Sequence, residues 1–90
     1  GLDHVQTASV ATRLGNVYRN IGDYYKAKEL LEKALLIYEN HYGKQHNRTA
    51  RVYIYLGSIY RNIGDYAKAK NLLENGLRIY QNNYGNDHID

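Results

Sequence analysis

Cysteine is absent from the 90-residue chain, which excludes disulfide scaffolds, thiolate zinc sites and cysteine nucleophiles. Proline is absent as well, so the chain has no proline kinks, cis-proline turns or PxxP ligand segments. Methionine is missing too, and the chain is read as excised from something longer, with Gly1 a remnant of the cut. No apolar run approaches the ~18 residues that a membrane span needs. No signal-peptide core is visible either, so a soluble, cytoplasmic setting is expected. Charge of one sign is scarce: 12 Lys and Arg against 9 Asp and Glu leave a formal +3. That modest excess makes nucleic acid an unlikely partner, although arginines and tyrosines share a face. What remains is 43% hydrophobic and 23% charged, near the globular average and unlike a disordered chain.

The residues that are present repeat themselves. Displaced by 42, Tyr18-Arg19-Asn20-Ile21-Gly22-Asp23-Tyr24 falls on Tyr60-Arg61-Asn62-Ile63-Gly64-Asp65-Tyr66. Leu14-Gly15 falls on Leu56-Gly57, and Lys26-Ala27-Lys28 on Lys68-Ala69-Lys70. Setting His4–His46 against His46–His88 gives 26 identities in 43 positions, which is a duplicated unit. We divide the single 1–90 domain into repeat 1 (4–45) and repeat 2 (46–87).

The period inside each unit is helical. Val10, Leu14, Val17, Tyr18 and Ile21 recur every three or four residues. So do Ala27, Leu30, Leu31, Ala34, Leu35 and Tyr38. Each set predicts an apolar stripe facing the core. Gly22 and Gly64 can close one helix in the left-handed conformation, and Asp23 and Asp65 can cap the next. Gly43 and Gly85 are expected to end the second helix of each unit. The prediction is all-α: helices near 4–21, 24–42, 46–63 and 66–84, folded as antiparallel pairs. Gly15 and Gly57 fall mid-helix, where glycine costs about 1 kcal/mol relative to alanine. A backbone or ring is expected to press there, with Ala27 and Ala69 opposite. Tyr18, Tyr24, Tyr60 and Tyr66 are expected to carry much of the buried area.

These residues resemble the tetratricopeptide repeat. Tyr53, Leu56-Gly57, Tyr60, Ala69 and Leu73 match its pattern in repeat 2. Leu14-Gly15, Tyr18, Ala27 and Leu31 match it in repeat 1, with Ala11 in place of the large aromatic. Gly76 stands where the family prefers alanine, which Ala34 keeps. The period of 42 exceeds the usual 34 of the family, and the terminal proline is missing. The extra eight residues add about one turn to each helix at ~1.5 Å per residue. That is similar to the longer-helix variety of kinesin light chains and many bacterial arrays. The resemblance implies an α-solenoid of two helix-turn-helix repeats serving as a protein-binding scaffold, not an enzyme.

It also implies a concave groove lined by the first helix of each pair. By position, Ser9, Thr12, Arg13, Asn16, Arg19 and Asn20 face it from repeat 1. Arg51, Ile54, Tyr55, Ser58, Arg61 and Asn62 face it from repeat 2. All are expected to be exposed, with four arginines and three asparagines converging. Arginine forks suit carboxylates, and asparagine suits an extended backbone, so the expected ligand is an acidic or C-terminal peptide segment. The carboxylate clamp of chaperone-binding relatives is not matched beyond Asn16: Thr12 and Tyr55 stand where lysine and asparagine are expected. His4, His46 and His88 recur at the repeat period, which favours helix-start or inter-repeat contacts over a metal site. No nucleophile–base pair or phosphate loop is visible, and no cofactor is expected. Two repeats leave both ends open, where about three are generally needed. Leu30, Leu35 and Ile37, with Leu72, Leu77 and Ile79, are expected to drive end-to-end or helix-exchanged homo-oligomers.

Overall fold

A computed structural model describes residues 4–84. Four helices follow one another: α1 (His4–Asn20), α2 (Tyr24–Tyr42), α3 (Asn47–Asn62) and α4 (Tyr66–Tyr84). The observed boundaries lie within one residue of those predicted. α1 and α2 form one hairpin and α3 and α4 the other, with α2 laid against α3. The result is a flat body of 35 × 34 × 20 Å. None of these helices is long and apolar enough to cross a membrane.

The turn within each hairpin is written twice. Asp23 N–H bonds Tyr18 C=O at 2.9 Å and Gly22 N–H bonds Arg19 C=O at 3.2 Å. Asp65 and Gly64 make the same pair to Tyr60 and Arg61, at 2.9 and 3.2 Å. This crossed pairing needs a left-handed residue just past the helix, and Gly22 and Gly64 supply it at φ 90° and 92°. The Asp23 carboxylate then accepts from Lys26 N–H, and Asp65 from Lys68 N–H, capping donors that α2 and α4 would leave unpaired. Gly43 closes α2 as expected. Gly85 and His88 lie outside the described residues.

The hairpins close on small residues. α1 buries Ala8, Ala11 and Gly15. A Cβ built on Gly15 would stand 2.8 Å from Leu31 Cγ, and one on Gly57 would stand 2.7 Å from Leu73 Cγ. The group that presses there is a leucine side chain from the facing helix and not a ring, and the expected backbone is the Ala27 and Ala69 carbonyls next to it. Repeat 2 solves a second close approach differently from repeat 1. A Cβ on Gly76 would stand 2.6 Å from Ile54 Cγ1. The corresponding positions in repeat 1 are Ala34 and Thr12, where the smaller partner leaves room for a methyl group. The larger side chain on α3 accounts for glycine in place of alanine on α4.

The core departs from the predicted stripes. Val10, Leu14 and Val17 are 53, 42 and 51% exposed, while the matching Val52, Leu56 and Ile59 are 0, 2 and 0% exposed. Helix periodicity marks an apolar face correctly but does not say which neighbour covers it. α2 covers the face on α3; no helix covers the one on α1. Ile21 is exposed too, as is its counterpart Ile63 beside the covered α3, so this exposure belongs to the hairpin turn. Tyr60 is buried and Tyr18 and Tyr24 are half-buried, but Tyr66 is 70% exposed, against the expectation, because among the described residues no helix lies against that face of α4. Of the α4 residues expected to form a bare end, only Leu77 is exposed; Leu72 is half-buried and Ile79 buried. Tyr38, near the C-terminus of α2, is buried in the core cluster.

Candidate functional site

The residues predicted to line one groove fall into three groups along the paired faces of α1 and α3. The first surrounds a cleft of about 230 Å³, lined by Ser9, Thr12, Arg13, Tyr38, Arg48 and Arg51. Arg13 and Arg51 are exposed and lean in from α1 and α3. Arg48 joins them from the first turn of α3, its guanidinium 5.9 Å from the Tyr42 ring centroid. No carboxylate among the described residues takes up any of the three guanidinium groups. Thr12 departs from the expectation: it is buried on the cleft wall and its hydroxyl donates to Ala8 C=O at 2.7 Å. A threonine can turn its hydroxyl back onto its own helix in this way, so Thr12 shapes the cleft and offers no free hydroxyl proton.

The second group is closed on itself. Arg19 donates through Nε and Nη2 to Asn16 Oδ1 at 3.1 and 2.6 Å. Its guanidinium lies 5.3 Å from the centroid of the Tyr55 ring. This cluster ties α1 to α3 and takes up Asn16, Arg19 and Tyr55, all half-buried. Ile54 and Ser58 also leave the predicted set. Ile54 packs over Gly76, facing α4, and the Ser58 hydroxyl donates to Ile54 C=O at 3.1 Å.

The third group, Asn20, Arg61 and Asn62, is exposed at the far ends of the two helices. Ten residues of helix separate Arg51 from Arg61, about 15 Å at 1.5 Å per residue. The arginines therefore do not converge as a single patch. Arg13 and Arg51 share the cleft, Arg19 is engaged, and Arg61 stands apart.

Two lining residues escaped the sequence reading. Arg48 aligns with Gln6 of the other repeat, so the repeat comparison does not flag it. Its position three residues before Arg51 would have placed both on one helix face. Tyr38 sits on the second helix of its pair and reaches the cleft from beneath.

Around the cleft the joint between hairpins is polar. Tyr53 Oη donates to Glu39 Oε2 at 2.6 Å. Burial first, and then that hydrogen bond, push the Tyr53 hydroxyl well above its ordinary pKa. The phenol thus stays a donor through the neutral range. Thr49 donates to Gly43 C=O at 2.8 Å, pinning the loop to α3. His46 caps α3: its Nδ1 accepts from Arg48 N–H at 3.0 Å and its ring stacks on Tyr42 at 4.1 Å. That is the helix-start role expected of it. His41 meets Tyr42 edge-on, and His4 is exposed at the start of α1. Among the described residues there is no group of three or more His, Cys, Asp or Glu that could hold a metal ion.

The arrangement can receive an anionic group at one end of the α1–α3 face. The three arginines offer planar donor forks, while Ser9 adds a hydroxyl. Two comparisons with known proteins bear on what such a face serves. The family profile described as tetratricopeptide repeat matches residues 6–89. No curated protein matches the chain.

Proposed function

The chain belongs to the tetratricopeptide repeat family, and on that premise we propose that it binds an acidic segment of a partner protein across α1 and α3. Repeats of this family mediate protein–protein interaction, and the family is typically a non-catalytic scaffold. The observation that carries the finer reading is the cleft flanked by Arg13, Arg48 and Arg51 with no carboxylate among the described residues to answer them. All three arginines are exposed, so each carboxylate brought to them gains a solvent-screened, charge-assisted hydrogen bond whose planar fork favours two-point contact. Such an exposed pair contributes about 0.2–1 kcal/mol. The far arginine, Arg61, suits a second acidic residue further along an extended segment.

The test is a titration by fluorescence anisotropy of a labelled glutamate-rich peptide and its glutamine counterpart. The glutamate peptide binds more tightly and weakens as salt rises. Arg13→Ala with Arg51→Ala weakens it severalfold, as loss of two exposed pairs of about 0.2–1 kcal/mol each requires. Equal affinity for both peptides, or for variant and parent, overturns the proposal. A second reading, self-association, draws support from the uncovered apolar stripe Val10, Leu14 and Val17.

A further inference from the structure

The two repeats differ little in sequence and sharply in burial, and the difference maps a surface. On α3, Thr49, Val52, Leu56, Ile59 and Tyr60 are buried while their α1 counterparts Thr7, Val10, Leu14, Val17 and Tyr18 are not. Only the Val17/Ile59 pair changes residue type, and by a single carbon. On α2, Tyr24, Lys28, Leu31, Leu35, Tyr38 and Tyr42 are each more buried than their α4 counterparts. α4 carries the same six residue types at positions 66, 70, 73, 77, 80 and 84. Both sets advance in steps of three and four with few breaks, so each is one helix face.

Inside the molecule α2 and α3 press those two faces together. The same faces recur on α1 and α4, where among the described residues each is met only at its edge by its own hairpin: Leu73 packs beside Gly57 and Tyr84 Oη accepts from Asn47 of α3. The outer faces of α1 and α4 are thus the separate halves of a joint that α2 and α3 already make. We propose that a second copy of the chain seats its α1 on α4 of the first, repeating the α2–α3 joint; this rests on the self-association reading and gives it a geometry. Lys28 shows how the polar edge is matched. Its ammonium lies 5.5 Å from the Tyr60 ring centroid across the internal joint, and Lys70 meets Tyr18 of the next copy in the same way. Leu77 and Tyr80 cover Leu14 and Val17 as Leu35 and Tyr38 belong to the face that covers Leu56 and Ile59.

The external joint is weaker than the internal one: the Arg48 guanidinium over the Tyr42 ring becomes a Gln6–Tyr84 pair. The Tyr53–Glu39 hydrogen bond becomes an Ala11–Gln81 pair. One bond is lost, but no carboxylate is left buried without a partner, so the contact remains permitted. Because the two faces are different, the contact is head-to-tail and does not close on itself after two copies. The assembly grows as a row, not as a two-fold dimer.

The experiment is sedimentation velocity on the full 90-residue chain from micromolar to millimolar concentration. Leu14→Glu and Leu77→Glu each spoil one end. Both positions are exposed, and far-UV circular dichroism checks that each variant stays helical. The parent forms species that lengthen with concentration. Each variant alone is a monomer. An equimolar mixture of the two stops at a dimer, because one intact α4 meets one intact α1. A parent dimer that never grows, a variant that pairs with itself, or a mixture that stays monomeric overturns the head-to-tail joint while leaving self-association standing. A parent that is monomeric throughout overturns both.

Discussion

Helices α1 and α3 carry valine, leucine and a β-branched residue at three matching places, yet in α3 all three are sealed and in α1 about half of each is wet. The residues do not differ enough to explain this; the neighbourhood does. α3 lies between α2 and α4, while α1 packs along α2 and meets α3 only lightly. In an array each hairpin is stabilised largely by its contacts with the adjacent ones. A stripe that reads as core in the sequence is therefore core only where a neighbour exists. α2 and α4 show the same relation in reverse: Tyr24 is half-buried and Tyr66 exposed, Leu31 buried and Leu73 half-buried.

Substitutions at matched positions sharpen the contrast. Leu56→Ala removes a buried side chain and is expected to cost about 2–5 kcal/mol. Leu14→Ala, its twin on α1, is expected to cost less than about 1 kcal/mol, since surface changes are usually small. Urea unfolding midpoints measure both, and equal losses would break the comparison. Next in size is Gly15→Ala. The new methyl group meets Leu31, which is fully buried and has nowhere to move. Overpacking of about 1–3 kcal/mol outweighs the gain in helix propensity of about 1 kcal/mol. Gly57→Ala meets the half-buried Leu73, which can swing outward, and the Ala69 carbonyl, which cannot, and is expected to cost less than Gly15→Ala in the same assay.

A smaller effect concerns Gly76. Gly76→Ala restores the residue found at position 34, but its methyl group meets Ile54. It is expected to destabilise by about 1 kcal/mol in the parent and to become neutral or better in an Ile54→Thr background, which recreates the Thr12–Ala34 pairing. The double-mutant cycle measures that coupling, and strict additivity would contradict the size exchange.

The smallest effect is a pH dependence with no counterpart in repeat 1, where Ala11 replaces Tyr53. The folded pKa of Tyr53 is raised, so the folded state holds the phenolic proton longer than the unfolded one. The contribution is fully present below the unfolded value of about 10 and is lost as pH rises beyond it. An ultraviolet phenolate titration should show one late tyrosine, and Tyr53→Phe should abolish that late step.

Much of the fold was legible because its signals are local. The Gly22-Asp23 and Gly64-Asp65 steps announce the turns through conformation and capping alone, and Leu-Gly at 14–15 and 56–57 marks the close approach. The site was less legible because its determinants cross between helices. Helical spacing put Thr12 and Ile54 on the polar face, but the first turns its hydroxyl onto Ala8 and the second faces Gly76. Both outcomes depend on how α1 and α3 are rolled against α2 and α4. Arg48 went unseen because it stands in the first turn of α3 and its counterpart in repeat 1 is Gln6.

Native-state amide hydrogen exchange tests the dependence of burial on neighbours most directly, because it reads the stability of each helix separately. The slowest amides are expected in α2 and α3, which have a helix against both sides, with matched amides of α1 and α4 exchanging faster. Protection in α1 equal to that in α3 at matched residues would contradict the account.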